Sequence, residues 1–426
     1  MFLVSPVLFA SDSWPEWRGP DRQGLSSAVD VPSEWSESLN VAWRTPIVGR
    51  GWSTPVIANG RIWVTTAIDV PASKEDADRR RKASTNSQPL LISDSVSLRA
   101  IELDLEAGKQ LRDIELIARD LPQTIHIDNS YATPTPIIDG NFLYCHFGPN
   151  GCACLDTSTG QIVWRQLDLE VAHENGAGSS PVLWNNLLIM HCDGIDTQYI
   201  VALNKSNGEI AWKTPRTGKL HSNVQLQKSY ATPLVTEVGG QTVLVSPAAD
   251  WLYGYDPSTG KELWKMKYGE LGFSNSARPV FGHGLLYICT GFMKSQLLAV
   301  EHNGAEEPSI AWRHTKQVPN VACPLLVGDE LYFASDNGVA SCLDAKTGEV
   351  HWTKRIGKKF WSSPVYADGK IYYFDRTGTT TVIAAAKQFK RVASNTLDGN
   401  LFSSAGIVDG TIVLRTDKAV YAIRNR

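Results

Sequence analysis

The sequence predicts an all-β chain, an eight-bladed β-propeller of four-stranded antiparallel blades, and three observations carry that prediction. One phrase recurs along the 426 residues, with eight starts: a small residue with Pro and Val, an Asp/Asn-Gly turn and an alternating strand, followed in the clearest copies by Leu-Asp-x-x-Thr-Gly and a tryptophan. Aligning the copies on Pro55, Pro134, Pro181, Pro233, Pro279, Pro324, Pro364 and Ala405 gives steps of 79, 47, 52, 46, 45, 40 and 41, the spacing a four-stranded blade needs. The last copy, 403–424, stops before its tryptophan strand, and a matching strand, NVAWRTPI with Trp43, stands alone at 40–47. An N-terminal strand that completes the C-terminal blade removes both open sheet edges and shuts the ring.

Taken in chain order, residues 1–10, MFLVSPVLFA, are apolar and end in a small residue before Ser11. They read as a truncated secretory signal segment, too short to span a bilayer, so a periplasmic or otherwise extracytoplasmic station is expected. Residues 11–39 read as an extension packed on the propeller, and 40–426 as the propeller itself. Blade 1 carries an insertion at about 68–96. It includes a charge run from Lys74 to Lys82 with Arg79, Arg80 and Arg81, read as a protruding loop or short helix, or as a docking surface for an acidic partner.

Within the repeat, alternating runs such as Ile371-Tyr372-Tyr373-Phe374 are strands packed on neighbouring sheets. Asn59-Gly60, Asp139-Gly140, Asp368-Gly369 and Asp409-Gly410 supply the positive φ of tight hairpins. In Asp156-x-x-Thr159-Gly160 and its copies at 256–260 and 344–348, the Asp bonds turn amides and the Gly takes the left-handed position. Trp164, Trp212, Trp264 and Trp352 each follow that Gly by four residues, as outer-strand packing plugs.

The formal charge of −3 leaves no general case for a nucleic-acid partner, and no segment reaches transmembrane length. Seven cysteines (145, 152, 154, 192, 289, 323 and 342) include no CxxC and no adjacent pair. They read as small buried hydrophobes.

The repeat phrase, Leu-Asp-x-x-Thr-Gly with its Trp after Ser-Ser-Pro-Val, resembles the PQQ-repeat propellers. That superfamily holds quinoprotein alcohol dehydrogenases and the propeller lipoprotein of the outer-membrane assembly machine. The opening WPEWRGPDRQGLS, 14–26, is similar to the N-terminal segment of bacterial PQQ-binding-like propellers of unassigned function. In the quinoprotein dehydrogenases the resemblance implies PQQ held against a disulfide of adjacent cysteines, over a tryptophan, with calcium or a lanthanide on Glu, Asn and Asp. This chain has no adjacent cysteines and no Asp-rich calcium loop, so neither PQQ with Ca²⁺ nor any other cofactor is expected.

A propeller gathers its inter-blade linkers and the loops between second and third strands at one channel mouth. Those positions hold His126, Asn129, His173, Asn175, Asn275, Arg278 and Asn320 in the linkers. The loops add Asp193, Asp250, Asp336 and Arg376. They form a ligand site at the channel mouth, or else they solvate the channel and cap backbone amides. No HExxH or GxSxG appears, and the glycosidase version would need Asp193 paired with Asp250 or Asp336 across the channel. The expected function is an exported binding or scaffold propeller that presents the channel mouth or rim to a protein or a small polar ligand. The alternative is a quinoprotein-like oxidoreductase or carbohydrate-active enzyme.

Overall fold

The structure, a computed structural model, describes residues 13–270, 272–304 and 307–425. Residues 1–10, where the sequence reads a signal segment, lie outside them. The strands form eight four-stranded antiparallel sheets and two two-stranded ribbons. The innermost strands are Val56–Ala58, Ile137–Asp139, Val182–Trp184 and Leu234–Val238 in blades 1 to 4. Blades 5 to 8 begin with Val280–Gly282, Leu325–Val327, Val365–Ala367 and Gly406–Val408. Blade 2 therefore begins after Pro136, two residues beyond the Pro134 that the sequence alignment favours; the Pro-Thr-Pro run at 134–136 offers two registers, and hydrogen bonding takes the second.

Ring closure follows the predicted route. Val41–Pro46 pairs with Ala419–Ile423 as the outer strand of blade 8, with Trp43 opposite Ala422 and Thr45 opposite Val420. The Trp43 indole N–H donates to the Leu105 carbonyl of blade 1 at 3.0 Å.

That contact explains why tryptophan recurs with Asp-x-x-Thr-Gly. Trp164 and Trp312 make the same bond to the following blade, to Lys205 O at 2.8 Å and Ala345 O at 3.0 Å. The turn glycine of the following blade lies flat on the indole: at Gly208, with φ +77°, a Cβ would stand 2.5 Å from the Trp164 ring. Glycine is needed there twice over, for the left-handed backbone and for the close approach. Gly108 on Trp43, Gly260 on Trp212 and Gly348 on Trp312 repeat the stitch. Trp43→Ala is expected to cost about 2–3 kcal/mol through lost packing at the closure, read as a lowered urea midpoint with unchanged folded-state circular dichroism.

The blade 1 insertion is shorter than its sequence span. Arg61–Pro71 and Ser93–Asp104 stay paired out to Pro71 and Ser93. What protrudes is the helix Lys74–Ala83, capped by Ser73 accepting from the Asp76 amide, and the segment after it. The charge run is only partly a display: Arg80 donates to Ser93 O and Pro122 O, and Arg81 to Leu90 O. These bonds tie the helix down.

A blind pocket at the channel mouth

Counting back from the proline or alanine that starts each inner strand, the residue immediately before it builds a belt. The Thr54 amide donates to Thr135 Oγ1, Thr135 to Ser180 Oγ, and Ser180 to Thr232 Oγ1, all at 2.9–3.0 Å. On the other side Cys323 donates to Ser363 Oγ and Ser363 to Ser404 Oγ at 2.9 and 3.0 Å. At these five links a blade thus satisfies the buried amide of its neighbour with a side-chain hydroxyl, and at Arg278 the Cys323 thiol takes that place at 3.1 Å. This is why Ser-Pro and Thr-Pro recur.

Below the belt the channel is filled by the extension itself. Trp14 exchanges backbone bonds with Ile57 of blade 1, and Ile138 of blade 2 donates to Pro15 O. Phe281 of blade 5 donates to Gln23 Oε1 at 2.8 Å, Tyr366 of blade 7 to Gly24 O, and Ser26 Oγ to Ile407 O of blade 8. Arg18 is buried, with Nη1 donating to Pro364 O at 2.5 Å and Nη2 to Gln23 O at 2.6 Å and Pro324 O at 3.3 Å. The segment therefore enters the ring and plugs it.

Above the belt, the third residue before each inner-strand start faces a cavity of about 600 Å³ whose floor includes Trp17 of the plug. Blades 7, 8 and 1 supply Trp361, Phe402 and Trp52 at this position. Blades 2 to 6 supply Thr133, Gly178, Tyr230, Ser276 and Val321. One arc of three adjacent blades is aromatic, and most of the remainder is small. Trp52 stacks on Phe402 with centroids 4.1 Å apart. The Arg376 guanidinium lies 4.0 Å from the Trp361 centroid and 4.5 Å from that of Phe402, and its Nη1 is 3.3 Å from Asp128 Oδ2. Beside blade 5, the ribbon pairing Gly272–Phe273 with Phe292–Met293 adds apolar surface. The rim on the blade 1 side is the insertion: Asn86 Nδ2 donates to Asn175 Oδ1 at 2.9 Å, and Thr85 Oγ1 to Glu174 Oε1 at 3.2 Å.

Of the residues the sequence nominated, His126, Asn129, Asn175, Asn320 and Asp336 line this cavity. Asn129 braces the wall, donating to Asn175 O at 2.7 Å and accepting from Thr133 Oγ1 at 2.6 Å. Burial holds the His126 imidazole below its ordinary pKa, Asp128 opposing and the Lys359 and Arg376 charges assisting. Asp336 accepts from both the amide and the side chain of Asn320 at 3.0 Å. Arg376 stands behind the aromatic arc.

The others lie elsewhere. Arg278 occupies the belt position of blade 5 but turns toward the plug, donating to Glu16 Oε1 and Trp17 O at 3.0 Å and to Pro233 O at 3.1 Å. Asn275 is buried, donating to Ala248 O and Tyr268 Oη. Asp250 is buried behind the mouth and does not line the cavity; burial raises its carboxyl pKa, with Glu270 adding to the effect. Asp193 is sealed at the end of the second strand of blade 3, and His173 is buried in the linker between blades 2 and 3. The acid pairs that the glycosidase version needs are therefore not assembled at the mouth.

That sealed region has the composition of a Ser-His-Asp relay without its access. His191 Nδ1 is 3.2 Å from Ser246 Oγ, and His191 Nε2 is 2.9 Å from Asp193 Oδ2. Arg216 donates to Asp193 Oδ1, Ser246 Oγ and Tyr255 Oη and stands 3.0 Å from His191 Nδ1. Burial opposes the Asp193 charge, but Arg216 and His191 outweigh it and hold its carboxyl below the usual range. With no solvent exposure at His191 or Asp193, the cluster is an inter-blade polar weld. Next to it His146 Nδ1 lies 3.0 Å from Cys152 Sγ, which is 3.2 Å from Met190 Sδ. Among the described residues no three His, Cys, Asp or Glu side chains are grouped to hold a metal ion.

Fold and site together define a closed eight-bladed propeller with one plugged end and one ligand-sized mouth. The family profile described as outer membrane protein assembly factor BamB matches residues 34–214, 104–312 and 305–421, and the chain belongs to this PQQ-repeat family. It is 24% identical to BamB of Shewanella oneidensis over 247 residues, 54% of this chain and 58% of that protein. To the tetrathionate hydrolase of Acidithiobacillus ferrooxidans it is 27% identical over 179 residues, 37% of this chain and 31% of that one. The matches thus span less than two thirds of these curated relatives. Among solved structures, BamB from Moraxella catarrhalis superposes with a TM-score of 0.54 at 13% identity, over 84% of this chain and 98% of that one. The quinohemoprotein alcohol dehydrogenase from Comamonas testosteroni gives 0.61 at 11% identity, over 97% and 81%. At such identities the likeness concerns the fold alone.

Proposed function

We propose that the chain is an extracytoplasmic binding propeller whose blind mouth pocket receives a small, polar, uncharged ligand. The observation that carries this reading is the cavity of about 600 Å³, within the size range of small-molecule sites, with an aromatic arc and convergent polar groups. The description of its family as an assembly factor supports a binding role over a catalytic one, and a station outside the cytoplasm. Among the described residues no helix is long and apolar enough to cross a membrane.

The residues present do not fit PQQ. All seven cysteines are free and buried, so no disulfide platform exists. A tricarboxylate also needs cations, and among the described residues the only lysine or arginine in the cavity lining, Lys228, is engaged with Glu174 at 3.4 Å, as Arg376 behind the arc is with Asp128. We therefore derive no redox step.

The test is a thermal-shift panel of neutral sugars, nucleosides, amino acids and carboxylates on the wild type and on Val321→Trp. Position 321 is the repeat position that carries Trp52 and Trp361, so the backbone accommodates an indole there, and the new ring fills the pocket. A neutral compound is expected to raise the melting temperature of the wild type and leave the variant unmoved. A panel silent on the wild type, or a shift retained in Val321→Trp, would discard the pocket.

A further inference from the structure

We infer that the pocket is a saccharide site, taking a neutral pyranose oligosaccharide with its ring faces along the Trp361–Phe402–Trp52 arc and its hydroxyls on the amide and carboxylate groups around it. This rests on the ligand-pocket reading above and narrows it to one chemical class.

Three features select the class. A pyranose presents C–H faces that pack on aromatic rings, and the arc is continuous over three adjacent blades, each ring half-buried and contributing to the cavity wall. Across from it Thr133, Gly178, Ser276 and Val321 leave room, and Phe273 with Phe292 forms a second apolar wall. Between these walls the polar groups are planar and two-sided: Asn86, Gln88, Gln225, Asn320, Asp128 and Asp336. Amides both donate and accept, and carboxylates accept from hydroxyls. Such a set matches a ring of hydroxyl groups better than it matches a single ionic head.

Charge argues the same way. Lys228 is held by Gln225 Oε1 at 2.7 Å and by Glu174, and Arg376 by Asp128. Asp336 is bonded only to the neutral Asn320. Among the described residues Lys228 is the only lysine or arginine in the cavity lining, and it is already paired, so an anionic ligand would meet that carboxylate with little to offset it. The volume suits an oligosaccharide more than one ring.

The experiment is isothermal titration calorimetry of the full chain with cellotriose, maltotriose and chitotriose. Trigalacturonate and the chitosan trimer serve as anionic and cationic counterparts. At least one neutral trisaccharide is expected to bind saturably at micromolar to millimolar concentration. Trp361→Ala should weaken it about tenfold, with Trp361→Phe restoring most of the loss, and Asn320→Ala should weaken it independently of the aromatic arc. No heat from any neutral trisaccharide overturns the inference, as does tighter binding of either charged counterpart. Undiminished affinity in both Trp361→Ala and Asn320→Ala also overturns it. If a nucleoside or amino acid shifts the wild type but not Val321→Trp while all saccharides are silent, the pocket stands and the saccharide class falls.

Discussion

Trp14→Ala is expected to cost about 3–5 kcal/mol, the range for deleting a fully buried aromatic. Its indole is 1% exposed and packs with Ile57, Ile407 and their neighbours in the core shared by blades 7, 8 and 1. Its backbone also pairs with Ile57. The ring faces Gly19, where φ is +76° and a Cβ would clash with the indole, so the turn that carries Arg18 to Pro364 and Pro324 is shaped around this side chain. Loss of the indole should therefore loosen the plug as a unit. Urea unfolding followed by tryptophan fluorescence measures the cost. A loss below about 1 kcal/mol would mean that the plug is an ornament on a ring stable without it. The same variant bears on the pocket, since Trp17, three residues on, contributes to its floor.

The ring was legible in the sequence because its determinants are periodic. The tryptophan and the turn glycine of the following blade mark the stitches, with Asp-x-x-Thr-Gly spelled out at Gly260 and Gly348, and the solitary Trp43 strand points to the blade that lacks one. The mouth was legible as an address, because linkers and loops must converge there, but less so as a list of side chains. Polarity alone does not distinguish a group facing solvent from one consumed by the fold. Asn275 and Asp193 are polar and near the right height, yet Tyr268 and Ala248 take the first, and Arg216 and His191 take the second. The better signal was positional. Trp52, Trp361 and Phe402 stand three residues before the inner-strand start in WSTP, WSSP and FSSA, a phase that the alignment already contained and a search for polar residues passed over. The plug could not be read from local pattern at all. WPEWRGPDRQGLS has no period, and its partners, such as Pro364 for Arg18, lie 346 residues away.

Acidification from pH 7 to pH 5 is expected to destabilise the fold by about 4 kcal/mol through two histidines that no ligand touches. Burial holds His146 down to about 3, with His173 beside it adding to the effect. Burial holds His173 down to about 4, with the neighbouring His191 again lowering it. In the unfolded chain both titrate near 6.5. Between 6.5 and about 4 the unfolded state thus binds protons that the folded state refuses, so stability rises with pH across that window and falls on acidification. For each group the difference between pH 7 and pH 5 is about 2 kcal/mol. Asp193 contributes nothing over this interval: its folded pKa is depressed, so its share is present above the ordinary carboxylate range and is lost only at lower pH. The measurement is unfolding free energy in urea at several pH values for the wild type, His146→Gln and His173→Gln, comparing slopes so that any fixed cost of the substitution cancels. Each variant should lose about 2 kcal/mol of the wild-type difference between pH 7 and pH 5. Equal slopes in all three would show that these imidazoles protonate within the fold, and that the packing of blades 2 to 4 admits charge.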